Sequence, residues 1–144
     1  MTVKQLSVFI ENRPGRLSAV TKILGDNDIN IRAMSLADTK DFGILRLIVD
    51  DSDKSKAVLK ENGFSVTETG VLAVKISDTP GGLAAAMQTL YNDNISVEYM
   101  YSAFINTQDN TAYLIVRVEN VTSAVQALTE AGFALATQDV LSDI

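Results

Sequence analysis

The feature that most limits how this chain can fold is a motif that occurs twice. Residues 12–17 read Asn12-Arg13-Pro14-Gly15-Arg16-Leu17 and residues 78–83 read Asp78-Thr79-Pro80-Gly81-Gly82-Leu83, and between them they hold the only two prolines of the 144 residues. Proline fixes φ near its helical value and has no N–H, so it suits the first turn of a helix, while the residue before it is pushed toward an extended conformation. Each copy therefore predicts a strand, a tight loop and a helix start. The repeat continues past the loops: Pro14 and Pro80, Leu24 and Leu90, and Ile29 and Ile95 are each 66 apart. Further on, Glu61 and Glu130, and Gly63-Phe64 and Gly132-Phe133, are 69 apart. The three extra residues fall near Ile105 to Asn110, a polar hairpin tip where added length costs little. One plan is used twice, giving two domains at 1–69 and 70–144, each small enough to need a shared interface.

Taken in order, Leu6, Val8 and Ile10 alternate with Gln5, Ser7 and Phe9, the period of a half-buried strand. After the loop, Leu17, Val20 and Leu24 fall at helical spacing, and Gly25-Asp26-Asn27 supplies a stop. Ile29 to Ala37 reads as a strand with Ile29, Ile31, Ala33 and Ala37 on one face, and a turn at 38–41 leads to a third strand, Phe42 to Val49. Asp50-Asp51-Ser52-Asp53 opens a second helix ending near Gly63, and Phe64 to Glu68 closes the copy. The order βαββαβ then restarts near Gly70, with strands at 71–76, 95–104, 113–118 and 133–140 and helices at 83–91 and 122–130.

Two ferredoxin-like βαββαβ sandwiches of the α+β class fit this order, each an antiparallel sheet of strand order 4-1-3-2 with both helices on one face. The two sheets are expected side by side. Leu6, Val8, Ile10, Leu45, Leu47 and Val49 would meet the helices, while Phe9, Ile44 and Ile48 share the other face with Gln5, Ser7 and Arg46. That half-apolar face is either a tolerated mixture on an open surface or a packing surface, and both readings stay open. Tyr99 and Tyr101, where the first copy has Ala33 and Ser35, read first as core beneath the helices and second as a pocket wall.

Composition removes most chemistry. There is no Cys and no His, so thiolate nucleophiles, sulfur metal sites, the usual general base and the commonest transition-metal ligand are all missing. A net charge of −6 without a basic stripe argues against nucleic acid. No apolar run approaches the ~18 residues of a membrane span, and no signal pattern opens the chain, so a cytoplasmic location is expected. The acidic run Asp50-Asp51-Ser52-Asp53 fails as a calcium loop, because its sixth and twelfth positions from Asp51 are Lys56 and Asn62, and it reads as a helix N-cap. No catalytic residue, metal or cofactor is expected.

The loop itself can bind. Gly15 lets a ligand approach the backbone, the free amides of a first helical turn suit a carboxylate, and Asn12 both donates and accepts. A zwitterion needs that combination, although Asn-x-Pro-Gly also simply makes a good strand-to-helix turn. Here the chain, from about residue 2 to 140, resembles a tandem pair of ACT domains. Glu11-Asn12-Arg13-Pro14-Gly15-Arg16-Leu17 followed by Asp28-Ile29-Asn30-Ile31 looks like the serine-sensing domain of phosphoglycerate dehydrogenase, and is similar to the regulatory subunit of acetolactate synthase. The resemblance implies an amino acid held at a seam between the loop of one domain and the second strand of the other. Ligand-binding candidates are then Asn12, Arg13, Pro14, Gly15, Arg16 and Leu17 with Asn30 and Ile31, and, in the second copy, Asp78, Thr79, Pro80, Gly81, Gly82 and Leu83 with Ser96 and Val97. The second copy departs from the pattern, since Asp78 replaces the loop Asn, Thr79 and Gly82 replace the arginines and Ser96 replaces Asn30, so the two sites should differ in affinity. Arg32 and Glu98 stand at equivalent positions and are either a pair across a pseudo-twofold axis or two unrelated surface charges.

The expectation is a non-catalytic, amino-acid-binding regulatory protein, homodimeric, without membrane or nucleic-acid partners. With no catalytic domain in the sequence, it would signal to a separate chain such as an amino-acid biosynthetic enzyme. The alternatives are a small acylphosphatase-like hydrolase using Arg13 or Arg16, whose Gly-rich phosphate loop is not seen, and a pure dimerisation module.

Overall fold

The computed structural model describes residues 2–38 and 40–142. Two compact units divide it, one of Lys4–Thr69 and one running from Gly70 and including Thr2 and Val3. The first unit holds β1 (Val3–Glu11) from Lys4 onward, α1 (Arg16–Asp26), β2 (Ile31–Asp38), β3 (Phe42–Val49) and α2 (Ser52–Glu61), followed by the start of β4 (Ser65–Ser77). Its strand order is β2-β3-β1-β4, the expected 4-1-3-2 arrangement. The expected turn at 38–41 includes residue 39, which lies outside the described residues.

The helix-side face is as the alternation predicts. Leu6, Val8, Ile10, Leu45, Leu47 and Val49 form one buried cluster with Val20 and Leu24 of α1, Leu59 of α2, and Ile29, Phe64 and Val66. The opposite face is less open than a surface mixture would be: Gln5, Ser7 and Ile48 are buried, and only Phe9 stays well exposed.

The second unit holds the rest of β4, α3 (Gly82–Asn92), β5 (Val97–Asn106), β6 (Thr111–Val118), α4 (Val121–Glu130) and α5 (Gln138–Ser142). Its sheet runs β4-β6-β5, and Leu72, Val74, Ile76, Leu114, Val116 and Val118 pack on Ala86, Leu90, Ala124 and Leu128 of α3 and α4. The three added residues lie where the offset placed them, at the β5–β6 tip.

Three expectations need correction. The closing strand at 133–140 is reduced to a single bridge, Val74 to Leu135, with Lys75 N–H donating to Ala134 O and Ala136 N–H to Ala73 O, each at 2.8 Å. At Thr137 the chain turns into α5, whose Leu141 N–H donates back to the Thr137 carbonyl at 3.2 Å, so a Thr helix start overrides the β pattern. Phe64–Glu68 and 71–76 are not separate strands either, since β4 runs through Gly70 without a break. A Cβ at Gly70 would lie 3.2 Å from Thr2 Oγ1.

The third correction concerns faces. The β2–β3 register shifts between Ile31 and Ala33, and the β5–β6 register shifts at the equivalent place, between Val97 and Tyr99. A one-residue bulge sends every later side chain to the other face. Ala33 and Ala37 therefore stand opposite Ile48 and Ile44, away from the helices, and only Ile29 and Ile31 stay with the core. Tyr99 and Tyr101 likewise stand opposite Arg117 and Ile115, half-buried on the face turned away from α3 and α4, and are not core beneath the helices.

Candidate functional site

Each unit starts its two helices in two different ways. The second helix is closed by a side chain: Asp51 accepts from Lys54 N–H at 3.1 Å at the start of α2, and Asn120 accepts from Ser123 N–H at 3.1 Å at the start of α4. The first helix is left open. Gly15 and Gly81 occupy the N-cap positions of α1 and α3 in the left-handed region, φ 88° and 90°, and no side chain caps either helix. In α1 the Ala19 amide reaches Gly15 O at 2.9 Å, while among the described residues the Leu17 and Ser18 amides find no backbone acceptor. Such amides, with the helix dipole behind them, suit an anion.

In the first unit a cavity of about 280 Å³ adjoins that open start. Ile10, Leu17, Leu36 and Gly43 give it an apolar lining, and Glu11, Asn12, Arg13 and Asp38 give it polar groups. The loop is held over it by the Asn12 N–H, which donates to Asp41 O at 3.1 Å. Arg13 Nε lies 3.0 Å from Glu11 Oε2, and both side chains are largely exposed. Asp38 has no ion pair among the described residues. A cation, two carboxylates and an amide thus meet around a small apolar space, which is what a zwitterion with a short side chain requires.

Of the first-copy candidates, Asn12, Arg13 and Leu17 line this cavity, and Pro14 and Gly15 form the exposed turn beside it. Arg16 does not reach it. Its guanidinium lies 4.4 Å from the centroid of the Phe64 ring, over the core, and its Nε is buried without a hydrogen bond. Asn30 and Ile31 belong to the start of β2, whereas the cavity meets β2 near its end, at Leu36 and Asp38. Asn30 is fastened there, its N–H donating to Asp50 Oδ1 at 3.1 Å and its carbonyl accepting from Asp50 N–H at 3.2 Å. Sequence reading missed Ile10, Leu36, Asp38 and Gly43 as cavity residues. The signal that finds them is the strand register, which sets Gly43 beside Ile10 on one side and Asp38 on the other.

The second loop repeats the backbone with different chemistry. Asp78 N–H donates to Asn110 O at 2.7 Å, as Asn12 does to Asp41, and Gly82 N–H donates to Thr79 O at 3.0 Å. The Ser77 and Thr79 hydroxyls are 2.7 Å apart. A Cβ added at Gly82 would run into the Ser77 carbonyl, so this loop is tighter than the one that carries Arg16. Asp78, Thr79, Pro80, Gly81 and Leu83 are exposed. Ser96 opens onto a separate cleft beside the start of α4, and Val97 packs on the core of its unit. Glu98 is paired within its own unit, with Arg117 Nε at 3.3 Å, and Arg117 Nη1 also donates to Gly70 O at 3.0 Å.

The match that decides the family covers residues 1–144, to the model described as an ACT domain pair. The chain is an ACT domain pair. Protein BT0572 from Bacteroides thetaiotaomicron is 39% identical, with a TM-score of 0.93 over 100% of this chain and 98% of that one. The ligand-free regulatory subunit of aspartate kinase from Thermus thermophilus is 16% identical, with a TM-score of 0.63 over 90% and 92% of the two chains, a likeness of fold. No curated protein matches the sequence. ACT domain pairs are typically regulatory modules that bind amino acids. Among the described residues of this pair, no helix is long and apolar enough to cross a membrane, and no three acidic side chains gather as metal ligands.

Proposed function

We propose that this ACT domain pair is a non-catalytic sensor that binds a free amino acid at the α1 loop, and that binding shifts a population of conformations read by another chain. The observation that carries the proposal is the uncapped start of α1 standing beside a cavity lined by Asn12, Arg13, Asp38 and Leu17. The ligand carboxylate meets the Leu17 and Ser18 amides, its ammonium group meets Asp38, and Asn12 bridges them. In this reading each unit is one ACT domain, 1–69 and 70–144. The protein works as a cytoplasmic homodimer, and the partner is an amino-acid biosynthetic enzyme.

Isothermal calorimetry of the purified chain against each common amino acid tests this. Saturable heat is expected from a small subset, with a rise in unfolding free energy of about 2.7 kcal/mol when that ligand is present at a hundred times its Kd. Asn12→Ala should weaken binding about tenfold or more, in line with the loss of a hydrogen bond to a charged group. No heat and no thermal shift with any amino acid would reject the proposal.

A further inference from the structure

Gly43 is the one lining residue of the α1-loop cavity without a side chain, and it lies among apolar neighbours. It faces Ile10 across β1–β3, and a Cβ built on it would lie 3.3 Å from both Ile10 Cγ1 and Leu36 Cδ1. Its φ is not positive, so backbone conformation does not demand glycine there. Space does. At the equivalent position of the second unit, Ala112 faces Ile76 in the same register and is buried, so there the floor carries a methyl group. Two further positions differ in the same sense: Ser102 stands where the first unit has Leu36, and Phe104 where it has Asp38. The second unit thus lacks the leucine wall, the carboxylate and the bare floor together.

We infer that Gly43 is the specificity-determining floor of the first unit's site, and that it admits an amino acid with a short aliphatic side chain packing against Ile10, Leu17 and Leu36. This rests on the amino-acid-binding reading above. A cavity of about 280 Å³ is at or below the usual range for ligand pockets, roughly 300–1,000 Å³, so long or aromatic side chains are excluded by volume. The contacts that meet the ligand side chain, Ile10, Leu17 and Leu36, are all hydrocarbon, so they offer a polar or charged side chain no hydrogen-bond partner. Because interiors are packed close to capacity, one methyl group at Gly43 would press on Ile10 and Leu36, and the side chain that yields narrows the cavity left for the ligand.

Calorimetry with glycine, alanine, valine, leucine, phenylalanine and aspartate on three proteins tests the inference: the natural chain, Gly43→Ala and Leu36→Ala. The natural chain should prefer alanine or valine over phenylalanine and aspartate by at least tenfold in Kd. Gly43→Ala should lose about tenfold for valine and much less for glycine, while its unliganded melting temperature stays within a few degrees. Leu36→Ala, at a position that is largely exposed, should fold normally and shift the preference toward leucine. If the natural chain binds no amino acid, the sensor reading fails and this inference with it. If it binds amino acids but prefers phenylalanine or aspartate, or if neither variant changes the order of preference, the inference alone is overturned.

Discussion

The two Pro-Gly loops have the same backbone and opposite surroundings. Gly15 and Gly81 share a left-handed φ, and in both loops one backbone N–H donates a hydrogen bond to a carbonyl at the tip of the neighbouring hairpin. After the glycine, the first loop sends Arg16 back over Phe64, while the second presses Gly82 against the Ser77 carbonyl. Beneath them, one sheet offers Gly43 and the other Ala112. A duplicated turn can therefore be kept for its geometry while its surroundings diverge, with a cavity lined by Leu17, Leu36 and Gly43 beside the first loop and one lined by Ser77, Thr79 and Asp109 beside the second, and each difference between the copies can be exchanged to see what it does.

The largest effect should come from giving the second loop the first loop's residue. Gly82→Arg or Gly82→Ala places a Cβ into the Ser77 carbonyl, a backbone contact that only displacement of the loop can relieve. Forced overpacking costs about 1–3 kcal/mol and sometimes more, and the upper end is expected here because the obstacle is main chain. Chemical denaturation should show the loss, whereas Arg16→Gly in the first loop should cost less. An Arg16→Gly penalty as large as that of Gly82→Ala would break the contrast.

Next in size are the helix starts. Asp51→Ala and Asn120→Ala each remove a side-chain cap and should cost about 1 kcal/mol. Gly15→Ala and Gly81→Ala should cost about 1–2 kcal/mol, because an L side chain strains the left-handed region, although a Cβ at either site meets nothing within 4 Å. Only Gly15→Ala should also weaken amino-acid binding. Arg16→Ala follows, at about 0.5–2 kcal/mol from the cation over a buried ring, with binding retained since its guanidinium lies away from the cavity. Loss of binding in Arg16→Ala with the fold intact would move the site.

Periodicity and the repeat made most of the architecture legible, because alternation at Leu6, Val8 and Ile10 and helical spacing at Val20 and Leu24 report burial directly. The misread parts were those set by register. A bulge after Ile31 and its copy after Val97 leave no mark on hydrophobic alternation, so of the two readings of Tyr99 and Tyr101 the core beneath the helices is the one that fails. The end of the second copy went astray because Thr137 and Asp139 carry a helix start within a β-like apolar pattern. The site was half legible for the same reason: Asn12, Arg13 and Leu17 are adjacent in sequence, but Leu36, Asp38 and Gly43 join them only once β2, β3 and β1 are in register. Asp51, read as an N-cap rather than a metal ligand, is the cap of α2.

The smallest effect sharpens the comparison furthest from the site. In α1, Lys22 Nζ donates to Asp26 Oδ2 at 2.9 Å, and at the equivalent positions of α3, Gln88 Nε2 donates to Asn92 Oδ1 at 2.8 Å. One geometry is thus built once from charges and once from amides. The hydrogen bond to Asp26, and behind it the charge of Asp26, raise the Lys22 pKa above its ordinary value of 10.5. A group whose pKa is raised by folding contributes fully below its unfolded value and loses that contribution as pH climbs through the raised one. The α1 pair should therefore fade in strongly alkaline solution and in salt, where the screening length falls to about 3 Å at 1 M, while the α3 pair should respond to neither. Both α1 groups are exposed, so the effect is slight. Thermal melts of the natural chain and of Lys22→Gln with Asp26→Asn check it. The natural chain should melt marginally higher at neutral pH in low salt, and the two curves should converge in 1 M salt or above the lysine range. A gap that persists in both conditions would mean that helix propensity, not charge, separates the two copies of this turn.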